Sequence, residues 1–320
     1  LPAGTWRSFV HIPRPDLQQF PNIIGRFQEL GIDQSTAQRM FQSWSTYSAA
    51  SRITYKDEEE SSRTLTSQEK QRAIEDQVKH MTNEVAAITS YADTYGKAEL
   101  NEIIQTFGLY NLSLYEVPHL HKQLLQWKTG DTPITNIVIG ARTDWNGSSS
   151  NLGNDSIRAM GDEDAIFFEA GSEFEIAKIL IAVGNHERQF GRDPLQTNAI
   201  RNVLIHAHAN ARGLALGPEG EDLDLHDYLD AEKRQAKIKG RANDYRKHLG
   251  NNFRILLQAC STAGETADGI NIANRIAEYH NADVEGSPFI TNGMLVINPD
   301  GSVTFNTTEG RIDSVTYSGK

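Results

Sequence analysis

The chain has 320 residues, 38% of them hydrophobic and 23% charged, and 42 Asp and Glu against 31 Lys and Arg give a formal net charge of −11. Such a composition is that of a globular protein, and its acidity argues against nucleic acid or an anionic membrane surface as the main partner, since both need a positive face. No apolar stretch approaches the ~18 residues of a membrane span, and the single cysteine, Cys260, excludes an internal disulfide.

Up to about residue 130 the pattern is helical. Apolar residues recur at three- and four-residue spacing over Leu17 to Leu30, Ser35 to Tyr47, Ser67 to Tyr95, Lys97 to Phe107 and Val117 to Trp127. Thr64 and Thr66 offer caps for the long helix that starts at Ser67. The acidic run Asp57 to Glu60 reads as a solvated loop, and Asp131-Thr132-Pro133 as a boundary. Residues 1–130 are therefore expected to form a helical accessory region, with a second domain over 131–320.

In that second part strands and helices alternate. Strands are expected over Asn136 to Ala141, Asp164 to Phe168, Val203 to Ala207 and Ile255 to Ala259. Helices are expected over Ser172 to Gly184 and Glu265 to Tyr279, with a long polar stretch, helical or partly irregular, over Leu225 to Leu249. Near the end, Gly293 to Ile297 and Ser302 to Phe305 flank Asn298-Pro299-Asp300-Gly301, which predicts a hairpin. Alternating strands and helices imply an α/β fold with a mostly parallel sheet covered on both faces. Sites in such sheets lie beyond the C-terminal ends of the strands.

Two strand ends carry reactive side chains. Asn202-Val203-Leu204-Ile205-His206-Ala207-His208 ends in histidine, and Phe253-Arg254-Ile255-Leu256-Leu257-Gln258-Ala259-Cys260 ends in the only thiol. If those strands are neighbours in a parallel sheet, His208 and Cys260 lie side by side, as a cysteine nucleophile and its base require. Cys260 would attack a carbonyl carbon and His208 would protonate the leaving amine. The small, turn-forming Ser261-Thr262-Ala263-Gly264 would aim backbone N–H groups at the strand end, where they could hold an oxyanion.

These blocks, with Arg212-Gly213-Leu214-Ala215-Leu216-Gly217 after the histidine strand, resemble the clan CD cysteine peptidases of the caspase-like fold, nearest the CHAT, separase and clostripain members. The resemblance runs from about Ile134 to Thr307. It implies a cysteine endopeptidase that needs no cofactor or metal and acts on protein or peptide substrates. In the family the histidine ends the third strand and the cysteine the fourth, the order found here. The histidine is normally followed by Gly, whose N–H joins the oxyanion hole. Here Ala209 stands in that place and, with the N–H of Cys260, is given that role by the resemblance. The family's histidine is the last strand residue before the small one, so His208 is preferred over His206, which lies on the same strand face.

The resemblance also makes the loop after the first strand a wall of the substrate pocket. Asp144 there suits a basic side chain and Arg142 an acidic one, and the balance is tilted toward basic. A second wall is expected from Asp283 to Asn292. The basic stretch Lys233 to His248 reads as a candidate self-cleavage loop, or as a solvated helix face. The helical region could bind a regulatory partner. The lone thiol favours a reducing, cytoplasmic compartment, no signal peptide is visible, and the toxin members of the clan leave delivery into a host cell open.

Other readings stay beside this one. Cys260 could be a buried small hydrophobe in an inert caspase-fold interaction module, or the same dyad could serve amide hydrolysis or acyl transfer. Neither His206/His208 nor His119/His121 has a third metal ligand at standard spacing, and His186-Glu187 lacks the second histidine of a zinc helix.

Overall fold

In the computed structural model the described residues are 17–45, 66–142, 165–210, 213–216, 223–224, 246–259, 262–264, 270–289, 291–307 and 310–319. After a short 3₁₀ turn at Leu17–Gln19 come helices α1 (Pro21–Glu29), α2 (Gln34–Ser45), α3 (Ser67–Tyr95), α4 (Lys97–Phe107) and α5 (Val117–Thr129). Their apolar faces meet: Met40, Trp44, Met81, Ile88, Leu100 and Ile103 are fully buried. Trp44 satisfies its indole by donating Nε1–H to the Tyr110 carbonyl at 2.8 Å. Gly108 ends α4 in a left-handed conformation, with its N–H on Ile104 O. A side chain there would meet the Glu169 carbonyl as well as the unfavourable φ.

The second part begins with β1 (Asn136–Ala141) and β2 (Ala165–Ala170), then α6 (Glu173–Gln189) and the short α7 (Pro194–Thr197). Strand β3 (Asn202–His206) is followed by three short strands, β4 (His208–Asn210), β5 (Gly213–Ala215) and β6 (Leu223–Asp224). After α8 (Arg246–Leu249) come β7 (Arg254–Gln258), α9 (Ile272–His280), β8 (Asp283–Gly286), β9 (Thr291–Ile297), β10 (Val303–Thr307), β11 (Gly310–Asp313) and β12 (Val315–Tyr317).

The central sheet has the order β12-β8-β7-β3-β1-β2. All pairings in it are parallel except β12 with β8. Parallel strands buried on both faces read as continuous apolar runs, and Val203-Leu204-Ile205 and Ile255-Leu256-Leu257 are buried throughout. Strands β9, β10 and β11 form one small antiparallel sheet, and β4, β5 and β6 another. Ser172 caps α6 by accepting from Glu175 N, and Asn271 caps α9 by accepting from Asn274 N.

The fold is α/β with a mostly parallel central sheet, as the alternating pattern predicts. Most long apolar runs form the strand or helix expected of them, within a few residues at their ends; the helix expected over Ser172 to Gly184 runs on to Gln189, and of the one expected over Glu265 to Tyr279 the described part is helical from Ile272. Of the polar stretch Leu225 to Leu249 only 246–249 is described, and it is helical. The short strands β4 to β6, β8, β11 and β12 carry no anticipated pattern, because two to four residues hold too few periods to show one.

The helical region and the sheet share one apolar core. Phe107 of α4 and Trp127 of α5 both meet Phe168 of β2 edge-on, with centroids 5.4 and 5.9 Å away. The change near residue 130 is a change of secondary structure that the core runs across. Among the described residues, no helix is long and apolar enough to cross a membrane.

Candidate functional site

The C-terminal ends of β1, β2, β3 and β7 lie together, and the parallel register sets which residues are level. Asn202 pairs with Arg254 and His206 with Gln258, an offset of 52 that is also the separation of His208 from Cys260. His206 is half-buried and its Nδ1–H donates across the pair to the Gln258 carbonyl at 3.0 Å. A carbonyl only accepts, so this contact fixes the hydrogen on Nδ1.

Beyond that point both chains leave the ladder. After Ala207, His208 begins β4 and pairs with Ala215 in the small antiparallel sheet. Ala209 is half-buried against the core. On β7, Ala259 N turns back to Leu257 O at 2.9 Å. Farther on, Ala263 N donates to Ser287 O at 3.0 Å, joining the turn after β7 to the end of β8. Cys260, Asp144 and the side chain of His208 lie outside the described residues, as does most of the candidate self-cleavage loop.

Arg142, at the end of β1, is built into the scaffold. Its Nη1 is 2.8 Å from Glu175 Oε2, its Nη2 donates to Glu169 O at 3.3 Å, and its guanidinium carbon stands 4.3 Å over the Tyr110 ring. Its carbonyl accepts from Ser43 Oγ at 2.6 Å and from Asn111 Nδ2 at 3.0 Å. Glu175 also accepts from Gly171 N at 2.6 Å. The side chain of Arg142 is 11% exposed, so α2, α6 and the 110–111 segment together hold the chain where it leaves β1.

Behind Arg142 lie two buried carboxyls. Glu169, on β2, accepts from Tyr110 N at 2.9 Å, Asn111 N at 3.2 Å, Asn111 Nδ2 at 3.0 Å and Tyr115 Oη at 3.3 Å. Burial pushes it up to about 7, against the pull of these donors and of Arg142. Glu84, on α3, takes the N–H and the hydroxyl of Ser113, and burial pushes it up to about 8, with Glu169 adding like-charge repulsion. The phenol of Tyr115, half-buried beside them, is raised well above its usual value, first by burial.

The remaining histidines of interest pack. His119 meets Phe167 edge-on at 5.6 Å, and His121 stacks on Tyr95 at 3.9 Å. His186 stacks on Trp127, holds Trp127 O through Nε2 at 2.8 Å and Glu187 through Nδ1 at 3.1 Å, so this pair ties α6 to α5. Among the described residues, no three His, Cys, Asp or Glu converge as metal ligands.

Sequence reasoning missed the Glu84–Ser113 and Glu169–Asn111 contacts and the Glu175 anchor. One signal was present: Glu169 is the single charge in the apolar run Ala165-Ile166-Phe167-Phe168-Glu169-Ala170, and a charge buried in a strand needs partners. Comparison with family models, curated proteins and solved structures found no match for this chain.

Proposed function

We propose that the chain is a cysteine endopeptidase of the caspase-like fold, with Cys260 as nucleophile and His208 as acid and base. The observation that carries this is the register of β3 with β7. The two strands are adjacent and parallel and end level at His206 and Gln258, so the chains that lead to His208 and Cys260 leave the sheet side by side, each two residues short of its reactive side chain. In chain order β3 and β7 are the third and fourth strands of the central sheet, as the resemblance requires.

In the reaction the Cys260 thiolate attacks the scissile carbonyl carbon and the carbonyl electron pair moves onto oxygen. The N–H groups of Cys260 and Ala209 hold that oxyanion. The tetrahedral intermediate collapses, the C–N bond breaks and His208 gives its proton to the leaving amine. Water then attacks the thioester carbonyl with His208 as base, which releases the acid and regenerates the thiol. The occupation of Arg142 by Glu175 supports a basic side chain before the cut, with Asp144 as its counter-charge. The Lys233 to His248 stretch would then be a target for self-processing.

The test is substrate profiling with a peptide library, wild type beside Cys260→Ala and His208→Ala. Cleavage after Arg or Lys by wild type alone is the expected result. Iodoacetamide labelling of Cys260 at the rate of an ordinary thiol, unchanged in His208→Ala, would point to an inert module. A fast, His208-dependent thiol without peptide cleavage would point to amidase or acyl-transfer chemistry.

A further inference from the structure

At the opposite end of the sheet, around the N-terminal ends of β3, β7 and β8, lie two adjoining cavities of about 730 and 440 Å³ that share Arg246, Asn251 and Asn281. We propose that this groove binds an acidic stretch of polypeptide carrying a large apolar side chain. The inference goes beyond the peptidase proposal and does not depend on it.

Charge is the first argument. Arg201, Arg246 and Arg254 line the larger cavity and Lys247 the smaller; two carboxylates stand against these four cations, Asp283 in the lining, which accepts from Ser318 Oγ at 2.9 Å, and Glu285, which pairs with Arg254. In a chain of net charge −11, a concave surface with this balance attracts anions where its surroundings repel them. Arg201 is exposed, and no hydrogen bond or ion pair to its guanidinium is found among the described residues.

Rigidity is the second. A polar chain crosses four strands along the floor. Asn202 Nδ2 donates to Asn136 Oδ1 at 2.7 Å, Arg254 Nε donates to Asn202 Oδ1 at 2.8 Å, and Arg254 Nη1 is 2.7 Å from Glu285 Oε1. The same Nη1 donates to Gly301 O at 2.7 Å, fixing the β9–β10 turn as one wall. A floor held in this way is formed before a ligand arrives, which lowers the entropy lost on binding.

Shape and chemistry decide between ligands. The two cavities in succession suit an extended occupant better than a compact ion. Asn198, Asn251 and Asn252 add side-chain amides that can both donate to and accept from a peptide backbone. Leu195 and Tyr279, 44% and 38% exposed, line the smaller cavity and offer an apolar contact beside Lys247. Carboxylates over the arginines, backbone along the asparagines and an apolar side chain on Leu195 and Tyr279 account for all three features. If the peptidase proposal also holds, the groove is a substrate-docking site remote from the cut.

The test uses the full chain carrying Cys260→Ser and a short fluorescent peptide rich in Glu with one central Leu, followed by anisotropy at low salt. Saturable binding is expected, weakened about tenfold by Arg201→Glu, by Leu195→Ser, and by replacing the peptide's Glu with Gln. Circular dichroism melting confirms that each exposed-site variant is folded. Absence of saturable binding, equal binding of the Gln peptide, or indifference to Arg201→Glu overturns the proposal. Binding of inorganic tripolyphosphate without binding of the peptide also overturns it, in favour of a small-anion site. Binding without cleavage activity in wild type would leave this groove standing and remove the peptidase proposal, and cleavage without peptide binding would do the reverse.

Discussion

The side-chain amide of Gln123 on α5 takes both backbone polar groups of Phe167 on β2. Nε2 donates to the Phe167 carbonyl at 2.9 Å, and Phe167 N donates to Oε1 at 2.8 Å. Strand β2 is an edge of the central sheet, and its outward N–H and C=O groups would otherwise be open to pairing with another chain. One glutamine, 2% exposed, copies the peptide group of a missing neighbour strand. The helical region is thus a cover on the sheet edge.

Gln123→Leu keeps the helix and much of the volume but leaves two buried backbone groups unpaired. The expected loss is about 2–4 kcal/mol of unfolding free energy. Urea unfolding of the variant beside wild type measures it, and a change below about half a kcal/mol would show that water replaces the amide.

Glu84 gives the stability a pH dependence of definite sign. Its folded-state value, about 8, lies above its ordinary value of 4.5, so the folded state holds the proton more tightly. Its contribution is fully present below pH 4.5 and is lost as the pH rises through 8. Glu169, raised to about 7, acts in the same direction over a lower window. Unfolding free energy should therefore fall by a few kcal/mol between pH 5 and 9. Glu84→Gln, which stays neutral, should flatten much of that slope in denaturant titrations across the range.

His206, which ends β3, and His208, which opens β4, should separate in thiol chemistry. Asparagine can replace the Nδ1 donor of His206 toward the Gln258 carbonyl. His206→Asn should leave the pH profile of Cys260 alkylation nearly unchanged. His208→Ala should slow alkylation near neutral pH by about tenfold or more and move its midpoint toward an ordinary thiol. The reverse pattern would make His206 the base.

Arg142 offers a test of pocket against scaffold. Lysine cannot reproduce both the ion pair with Glu175 and the stacking over Tyr110. Arg142→Lys should lower kcat/KM for every cleavable peptide by a similar factor and leave the preference before the cut unchanged. A shift in that preference would put the guanidinium in the pocket.

Much of this architecture was legible in the chain, and the reasons differ by residue. Ile255-Leu256-Leu257 and Val203-Leu204-Ile205 are apolar without alternation because both sheet faces cover them, so their strands announce themselves. Helix α3 shows its three- and four-residue spacing over 29 residues, enough to fix both ends. Strand β8 does not, since Glu285 is buried on partners distant in the chain, Arg254 of β7 at 2.7 Å and the Ser314 hydroxyl at 2.7 Å. Arg142 looked like a pocket residue, and nothing local to it reveals that Glu175, Tyr110 and Ser43 converge on it from three other segments.

By itself the sequence determined the α/β alternation, the two apolar runs that lead to His208 and Cys260, and the spacing of 52 between those residues. These are local patterns, set by burial period and turn chemistry within one segment. Only the tertiary structure decided that β3 and β7 are neighbours with that same offset. It also decided that Gln123 closes the sheet edge, that Glu84 and Glu169 lie buried near each other, and that three arginines line one groove at the far end. Each of these joins residues distant in the chain, and the energy that joins them comes from shared burial and paired polar groups, which no single segment contains.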